Sequence, residues 1–337
     1  MSISILGAGT WGTALSILLA NKGKEVVLWS KIESEINALK EDRSHIKNLP
    51  GSVLPDSVIL TTDAEYACKT SDSELIVFAV ASPYVRATAK SVSGYIKDGQ
   101  KIVNVAKGIE EATLDTLLDI IGEEIPNADL AVLSGPSHAE EVSRLIPTTV
   151  VVAAHSRETA EFLQDTFMTE RFRVYTSNDI IGVELGGSIK NVIALAAGMS
   201  DGLGFGDNTK AALMTRGLAE IVRLAIAMGA QPETLHGLSG IGDLFVTCTS
   251  HHSRNWNAGN LIGKGMSVDD ALKEVAQVVE GVHCAKSALK LAHKYSVEMP
   301  IVEQVNRILF ENKPVAEAVN ELFMREKRAE HDLINWV

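Results

Sequence analysis

Residues 2–12 read Ser-Ile-Ser-Ile-Leu-Gly-Ala-Gly-Thr-Trp-Gly, a short apolar run that leads directly into a G-x-G-x-x-G spacing. A helical pattern of apolar residues follows to residues 21–23, and a second apolar run occupies residues 25–30. A strand, a glycine turn, a helix and a second strand in this order form the context in which the spacing predicts a dinucleotide-binding unit. The alternative is a glycine-rich turn in an unrelated α/β protein.

Each of the three glycines has a separate physical task in such a unit. Gly7 allows the tight turn, Gly9 lets the backbone approach a pyrophosphate, and Gly12 permits close packing of the helix on the strand. The free N–H groups at the start of the helix then face the negative charge of the ligand. The sequence therefore predicts a nicotinamide dinucleotide as the cofactor.

The end of the second strand bears on the choice between NAD and NADP. NAD-selective units usually carry an acid there for the ribose hydroxyls, whereas this chain has Ser30 and Lys31, and its first acid is Glu33. A hydroxyl and a cation would accept a 2′-phosphate, so the sequence predicts that NADPH binds at least as well as NADH. Alternatively, Lys31 only begins a solvated helix.

The rest of the first half repeats this alternation of strand and helix. Apolar runs predict further strands at residues 58–62, 75–80, 101–106, 129–133, 148–154 and 171–175. Repeated βα units predict a mostly parallel, doubly wound sheet. The expected fold class is therefore an α/β domain of the doubly wound (Rossmann) type over residues 1–182.

Strand patterns stop near residue 180, and only helices are predicted beyond it. Their predicted spans are residues 180–199, 210–228, 268–276, 284–294, 301–310 and 315–323. This change of class is the predicted domain boundary, so an all-α domain for substrate and catalysis is expected over residues 183–337. The helix that begins at the boundary bridges the two halves.

The segment at this boundary, residues 184–208, carries the most unusual lysine of the chain. Lys190 lies in an apolar helical pattern, with Gly186, Gly187 and Ala194 at neighbouring helix positions. These small residues are expected to give substrate and cofactor room to reach the amine. The alternative is a solvated lysine on a helix whose glycines only permit close packing, because lysine is rarely buried without a partner.

Further candidates follow the strands directly. Ligands of doubly wound sheets bind at the carboxyl ends of the strands. Lys107 follows the strand at residues 101–106, and residues 134–139, Ser-Gly-Pro-Ser-His-Ala, follow the strand at 129–133. Both are therefore expected near the glycine turn, although Lys107 also fits an ordinary exposed loop lysine.

Two polar segments between the later helices are predicted to be loops. Residues 236–244 place three glycines close to Asp243, and residues 251–255 end in Ser-Arg-Asn. The planar guanidinium of Arg254 suits a phosphate bidentately, and the neighbouring hydroxyl and amide can add hydrogen bonds. A surface arginine is the plainer interpretation. Glu280, a carboxylate at a turn, is a weaker signal.

Composition and charge limit the partners. The 337 residues are 46% hydrophobic and carry a net charge of −12, which argues against nucleic acid or an anionic membrane as the main partner. Three scattered cysteines and an adjacent pair of histidines predict no metal site. No apolar run approaches the ~18 residues that span a bilayer, and the N-terminal run lacks a basic segment. A cytoplasmic protein without stable membrane insertion is expected.

Several motifs together resemble the NAD(P)⁺-dependent glycerol-3-phosphate dehydrogenase family of the bacterial cytoplasmic type, over essentially the whole chain. They are the glycine turn with Thr10 and Trp11, and residues 104–108, 134–137, 187–208, 237–244, 252–255 and 279–281. The resemblance implies the reversible reduction of dihydroxyacetone phosphate to sn-glycerol 3-phosphate, which supplies glycerophospholipid synthesis. It also implies a phosphorylated small-molecule substrate and a homodimer.

The resemblance further implies roles for individual residues. It assigns Lys190 as the proton donor and acceptor. The residues implied to hold substrate are Lys107, Gly135, Ser137, Lys190, Asp243, Ser253, Arg254 and Asn255. Those implied to line the cofactor, NADPH or NADH, are Thr10, Trp11, Lys31, Lys107, Ala139, Arg254, Val278 and Glu280, beside the fingerprint residues Gly7, Gly9 and Gly12.

The residues by themselves predict less than the resemblance implies. They predict a nicotinamide cofactor, an anionic substrate and a lysine at the domain junction. Hydride chemistry belongs to the cofactor, and the protein supplies orientation and a proton. A related 3-hydroxyacid or 6-phosphogluconate dehydrogenase, which shares the architecture, and a cofactor-sensing protein without turnover both stay open.

Overall fold

The structure is a computed structural model and describes residues 2–45, 49–69, 74–327 and 329–330. The strands of these residues are β1 (Ser2–Leu6), β2 (Glu25–Trp29), β3 (Ile59–Thr61), β4 (Leu75–Phe78), β5 (Lys101–Asn104), β6 (Asp129–Ser134), β7 (Thr148–Ala154) and β8 (Phe172–Ser177). They form one sheet in the order β3-β2-β1-β4-β5-β6-β7-β8. The predicted doubly wound α/β fold is confirmed.

Helices cover both faces of this sheet. They are α1 (Thr10–Asn21), α2 (Glu33–Asp42), α3 (Ala64–Lys69), α4 (Val85–Val92), α5 (Leu117–Glu124), α6 (Ala139–Val142) and α7 (Arg157–Phe167). Along β4, Leu75 and Val77 join one hydrophobic cluster while Ile76 and Phe78 join another, because successive side chains point to opposite faces. Burial on both faces explains why this strand appears in the sequence as a continuous apolar run.

The sheet is parallel except between β6 and β7, which pair antiparallel. The parallel strands β1, β4 and β5 therefore end at the same edge, where Leu6, Phe78 and Asn104 are direct neighbours. The glycine turn and the segment that contains Lys107 both leave the sheet at this edge. Ligands of doubly wound sheets bind at such an edge.

The second half of the described chain is helical. Its helices are α8 (Ile180–Gly202), α9 (Asp207–Ala227), α10 (Pro232–Leu235), α11 (Asp243–Thr249), α12 (Arg254–Gly263), α13 (Val268–Val275), α14 (Glu280–Lys294), α15 (Pro300–Glu311) and α16 (Val315–Phe323). α8 is the central helix, because α9, α11, α12 and α14 all pack against it. Ile189, Val192 and Ala197 of α8 are fully buried in this helical core.

Glycines let α8 and α12 approach each other closely. A Cβ at Gly198 would clash with the backbone of Trp256, and a Cβ at Gly259 would clash with the backbone of Leu195. The two helix backbones therefore touch where larger residues would separate them. This contact brings the first residues of α12 beside Lys190.

α8 is also long and apolar enough to cross a membrane, with a mean hydropathy of 1.5 over an 18-residue window. The expectation that no apolar run approaches this length is therefore wrong for this helix. Inside the fold, 89% of that window is buried. A helix that is apolar on all sides is either a membrane span or the core helix of a larger protein, and the packing of α8 makes it a core helix.

Of the two segments predicted as loops in the second half, residues 236–244 are largely helical, and residues 251–255 are helical only at their end. A π-helical turn covers Leu238–Gly242, α11 begins at Asp243, and α12 begins directly after Ser253. In residues 236–244 the three glycines argued against a helix, because glycine lowers helix propensity by ~1 kcal/mol relative to alanine. Packing against α8 overrides that propensity.

The class of structure changes between β8 and α8. The predicted division after residue 182 lies less than one turn inside α8, which begins at Ile180. We propose residues 1–182 and 183–337 as the two domains, joined by α8.

Glu184 of α8 contacts the sheet domain through a buried hydrogen bond. Its Oε1 accepts the N–H of Leu118 in the first turn of α5 at 2.9 Å. Its Oε2 has no hydrogen-bond partner among the described residues. Burial raises the pKa of Glu184 to about 7, although hydrogen bonds from Thr116 and Leu118 oppose the shift.

Replacement of Glu184 by glutamine tests this buried carboxyl through stability. A carboxyl with a folded-state pKa of about 7 stabilises the fold fully below its unfolded-state pKa and loses this contribution as pH rises through 7. Glu184→Gln keeps an acceptor for Leu118 and removes the titration. Relative to wild type, its free energy of unfolding should therefore rise by about 2 kcal/mol between pH 5 and pH 8.

Urea unfolding at the two pH values measures this difference. Glu158→Gln, at an exposed position of α7, is the matched control and should show no such change. A Glu184→Gln protein whose stability relative to wild type is the same at both pH values would contradict the assignment.

Candidate active site

A cleft of about 780 Å³ lies between the carboxyl edge of the sheet and the helices of the second half. This size suits a small-molecule cofactor and substrate. The predicted site residues that line it are Gly7, Gly9, Thr10, Trp11, Lys31, Lys107, Ser137, Ala139, Lys190, Asp243, Ser253, Arg254, Asn255, Val278 and Glu280. Gly12 and Gly135 are not among the described lining residues.

The turn after β1 forms one end of the cleft. Gly7 has a φ of +118°, and a Cβ there would meet the backbone of Ala79 at 2.7 Å. Gly12 lies so close to the carbonyl of Gly7 that any Cβ would clash with it, whereas the Cβ position of Gly9 has no atom within 4 Å. α1 begins at Thr10 without a side-chain cap or an acidic residue in its first turn. This open backbone and uncapped helix end fit a pyrophosphate.

The end of β2 brings both signs of charge to the cleft. Lys31 is exposed and lines it. Ser30 donates from its hydroxyl to Glu35 at 2.6 Å, and Glu35 lines the cleft as well. An ammonium and a carboxylate therefore lie where the adenosine ribose of a dinucleotide binds in this type of fold. Sequence analysis missed Glu35 because it belongs to the first turn of α2 and not to the strand end.

Two lysines share one carboxylate at the other end of the cleft. Lys190 donates to Oδ1 of Asp243, and Lys107 donates to Oδ2 at 2.7 Å. Asp243 is 1% exposed and Lys190 is 5% exposed. Lys190 also donates to the hydroxyl of Thr247 at 2.5 Å, and this hydroxyl donates to the backbone carbonyl of Asp243 at 2.6 Å. The Lys190 ammonium is therefore held from two sides in a site shielded from bulk water.

Burial lowers the pKa of Lys190 to about 8. Asp243 opposes this shift because it stabilises the ammonium, and Lys107 adds to the shift by repulsion. A lysine that exchanges its proton near neutral pH suits general acid–base catalysis.

The small residues beside Lys190 admit neighbouring segments of the protein. A Cβ at Gly186 would meet the carbonyl oxygen of Ser239 at 2.7 Å. Ser239 belongs to the π-helical turn, and Asp243 follows that turn directly. The missing side chain therefore lets the turn reach α8 and bring Asp243 to Lys190. The expectation that these glycines leave room for substrate and cofactor is wrong at this position.

Gly187 admits the end of β6, which carries Ser134. Its Cβ position lies 2.5 Å from the hydroxyl oxygen of Ser134 and 3.6 Å from Cγ of Lys107, so protein occupies this space too. Lys107 donates to the carbonyl of Gly135 at 3.0 Å, and Ser137 donates to the same carbonyl at 2.9 Å. Gly135 therefore orients two residues that line the cleft.

The start of α12 supplies the side chains predicted for a phosphate. The Ser253 hydroxyl accepts the N–H of Trp256 at 3.1 Å as the helix cap, so its own hydrogen can still be donated. Arg254 is exposed, lines the cleft and donates to the carbonyl of Val278 at 3.4 Å. Because a guanidinium has five N–H groups, Arg254 can bind an anion as well.

The Asn255 amide joins three helices. Its Nδ2 donates to Oδ1 of Asn191 at 2.9 Å, and its Oδ1 accepts the N–H of Gly281 at 2.9 Å. These bonds connect α12 to α8 and α14 directly beside Lys190 and Glu280. The substrate contact implied for Asn255 stays a prediction.

Among the polar side chains that line the cleft, His138, Asn191 and Thr247 had no role assigned to them from the sequence. Burial lowers the pKa of His138 to about 4, with a further contribution from the Lys190 ammonium, so its ring is neutral at physiological pH. The one available signal was the spacing of Thr247, which is one helical turn after Asp243. It was not used because no helix was predicted there.

The fold and the cleft together define a class of protein. A doubly wound sheet carries an uncapped glycine turn suited to a dinucleotide. A buried lysine with a pKa of about 8 lies in the same cleft. Among the described residues, no group of three or more His, Cys, Asp or Glu side chains is placed to hold a metal ion. The sheet, the glycine turn and the buried lysine are together those of a two-domain, nicotinamide-dependent dehydrogenase.

Comparison of the sequence with known protein families identifies one family within this class. The sequence matches the NAD-dependent glycerol-3-phosphate dehydrogenase family with its N-terminal part over residues 2–160 and its C-terminal part over residues 179–320. The chain therefore belongs to this family and is an NAD(P)⁺-dependent oxidoreductase.

Individual members of the family match this chain over nearly their full length. The chain is 61% identical over 334 residues to a glycerol-3-phosphate dehydrogenase (NAD(P)+) of Agathobacter rectalis, with 99% of each chain covered. It is 54% identical over 332 residues to that of Fusobacterium nucleatum, with 98% of each covered. A crystal structure of glycerol-3-phosphate dehydrogenase from Coxiella burnetii has a TM-score of 0.92 at 37% identity, covering 96% of this chain and 99% of that one. The predicted family, fold and cofactor class are confirmed.

Gly9 allows a direct test of the cofactor end of the cleft. Its φ is −69°, so alanine fits the backbone, and the added methyl group would enter open space. We expect Gly9→Ala to fold normally and to bind NADH and NADPH about tenfold more weakly, because the methyl group lies where the pyrophosphate approaches. Fluorescence titration measures both affinities. Gly94→Ala, at another open glycine, is the control, and an unchanged affinity in Gly9→Ala would contradict the placement.

Proposed function

We propose that Lys190 is the proton donor and acceptor in the reaction of this family, the reversible NAD(P)H-dependent reduction of dihydroxyacetone phosphate to sn-glycerol 3-phosphate. The observation that carries this proposal is the buried contact of Lys190 with Asp243 inside the cleft. The nicotinamide cofactor supplies the hydride when it is bound.

Reduction of a carbonyl needs both a cation and a proton at its oxygen. Negative charge develops on that oxygen, and an ammonium stabilises it and then donates a proton. Lys190 meets both needs, because Asp243 helps to keep it protonated while burial keeps its proton labile. In the reverse direction, neutral Lys190 accepts the proton of the substrate hydroxyl.

The substrate phosphate is assigned to the start of α12. Because the chain has a net charge of −12, a dianion needs a local cationic site. Arg254 provides an exposed guanidinium there, and Ser253 has a hydroxyl hydrogen to donate. The other residues proposed to hold substrate are Lys107, Gly135, Ser137, Asp243 and Asn255.

Both charges at the end of β2 bear on cofactor choice. We propose that NADPH binds at least as well as NADH, because the Lys31 ammonium favours a 2′-phosphate. Glu35 opposes this preference, since its carboxylate repels the phosphate and can accept from ribose hydroxyls. The other residues proposed to line the cofactor are Gly7, Gly9, Thr10, Trp11, Gly12, Lys107, Ala139, Arg254, Val278 and Glu280.

The cellular role is proposed from the family. The product would supply glycerophospholipid synthesis in the cytoplasm, and the enzyme would act as a homodimer. The burial of α8 within the fold supports a protein that is not inserted in a membrane. Sedimentation of the purified protein tests the dimer, and a species of 36.2 kDa alone would contradict it.

Replacement of Lys190 tests the proposed chemistry. Lys190→Met keeps the length of the side chain, and Asp243 retains Lys107 as a partner at 2.7 Å, so no isolated charge is left buried. We expect this variant to fold and to bind NADPH normally, while kcat for reduction falls at least about a hundredfold. The loss of NADPH absorbance with dihydroxyacetone phosphate measures the rate.

A control and an alternative substrate sharpen this assay. Lys101→Met removes a lysine paired with Asp129 at the opposite edge of the sheet, and its kcat should be that of wild type. Retention of most of the wild-type kcat in folded Lys190→Met would remove Lys190 from the chemistry. In the wild-type protein, turnover of a hydroxyacid in place of dihydroxyacetone phosphate would favour the related dehydrogenases. Binding of NADPH without turnover of any substrate would favour a sensor.

Two opposite substitutions test the cofactor preference. Lys31→Met should weaken NADPH more than NADH, because it removes the cation beside the 2′-phosphate. Glu35→Gln should act in the other direction and improve NADPH relative to NADH. The dissociation constants of both cofactors measure these effects. Equal changes for the two cofactors in either variant would show that the residue does not recognise the phosphate.

A further inference from the structure

Ser82 and Glu280 form a contact between the sheet domain and α14. The backbone N–H of Ser82 donates to Oε1 of Glu280 at 3.1 Å, and its hydroxyl donates to Oε2 of the same residue. One residue therefore binds both carboxylate oxygens. We propose that Ser82 is a positioning residue, which holds Glu280 in the orientation that serves the nicotinamide cofactor.

Ser82 lies behind the wall of the cleft. Its neighbours Ala81 and Tyr84 line the cleft, and so does Glu280, whereas Ser82 is not among the described lining residues. Ser82 is 9% exposed. It therefore acts on a ligand in the cleft only through Glu280.

The local sequence explains why the Ser82 N–H is available. Ser82 begins a 3₁₀ turn that ends at Tyr84, and Pro83 follows it in the first turn. The N–H groups at the start of a helical turn have no partner within the turn. Glu280 takes this donor, and as the first residue of α14 its negative charge is also favoured by the dipole of that helix.

Gly108 makes the close approach of Ser82 possible. A Cβ at Gly108 would clash with the Cβ of Ser82 and would lie 2.7 Å from its hydroxyl oxygen. The Ser188 hydroxyl of α8 donates to the carbonyl of Gly108 at 3.1 Å, so this segment is held in place. Any side chain at position 108 would therefore push Ser82 away from Glu280.

This contact preorganises the Glu280 carboxylate for ligand binding. A glutamate side chain free to rotate has to be ordered when a ligand binds, which weakens binding. Two hydrogen bonds from Ser82 fix Glu280 before the cofactor arrives. This inference rests on the proposed function, in which Glu280 lines the cofactor.

Binary NADPH binding in four variants tests the role of Ser82. The variants are Ser82→Ala, Glu280→Gln, the double variant, and Ser93→Ala, which makes the same chemical change at a half-buried serine bonded to its own turn. We expect Ser82→Ala to raise the dissociation constant of NADPH about five- to tenfold, since it removes a hydrogen bond to a charged group. Glu280→Gln should raise it as well, and the double variant should be no weaker than Glu280→Gln alone. Ser93→Ala should not change it.

Catalytic rate and stability separate positioning from a purely structural role. kcat should stay close to that of wild type in Ser82→Ala, because Ser82 does not contact Lys190 or Asp243. A purely structural contact would lower the unfolding temperature of Ser82→Ala and leave NADPH affinity unchanged, and that result would overturn the proposal. Gly108→Ala is an independent route to the same defect and should weaken NADPH binding even though Ser82 is intact.

The outcomes distinguish this inference from the function on which it rests. If Glu280→Gln weakens NADPH binding and Ser82→Ala does not, the role of Ser82 fails and the cofactor role of Glu280 stands. Additive losses in the double variant would also overturn the role of Ser82, because they would show that it acts independently of Glu280. An unchanged affinity in Glu280→Gln would remove Glu280 from the cofactor set, and the proposal for Ser82 with it.

Discussion

The Asp243 carboxylate lies between two lysine ammonium groups in the interior of the protein. Removing a charge from water is expensive, so each of these groups depends on the others. Lys190 comes from the central helix of the second half, and Lys107 comes from the edge of the sheet. The shared carboxylate therefore joins the two halves at the cleft. It also sets the chemistry, because burial and Lys107 lower the pKa of Lys190 while Asp243 raises it, with a net value of about 8.

Glycine makes this arrangement possible. The absent side chain of Gly186 admits the turn that precedes Asp243, and that of Gly187 admits the hydroxyl of Ser134 at the end of β6. A Cβ at Gly186 would push this turn, and Asp243 with it, away from α8 and Lys190. A similar constraint acts at Gly108, beside Ser82. Several glycines of this chain thus serve close contacts between protein segments, and Gly9 is the one that leaves its space open to the cleft.

Features that depend on neighbours in the sequence were predictable. The glycine turn, the buried parallel strands and the change to helices near residue 180 each leave a local periodic pattern. Contacts between distant segments leave none, so the contact of Lys190 with Asp243, 53 positions apart, was not predicted, and only the family resemblance assigned both residues to one site. The helix that starts at Asp243 was missed because it directly follows a segment rich in glycine, which has low helix propensity. Glu35 was missed because it reaches the cleft from a helix and not from a strand end.

The most direct test of the account is the pH dependence of kcat/KM for reduction in wild type and in Asp243→Asn. Reduction requires the protonated form of Lys190, and kcat/KM reports the ionisation of the free enzyme. Wild-type kcat/KM should therefore fall as pH rises through about 8. In Asp243→Asn the fall should begin at lower pH, because the charge that stabilises the ammonium is gone. A fall at the same pH in both proteins, or none in wild type, would contradict the central role of the Lys190–Asp243 pair.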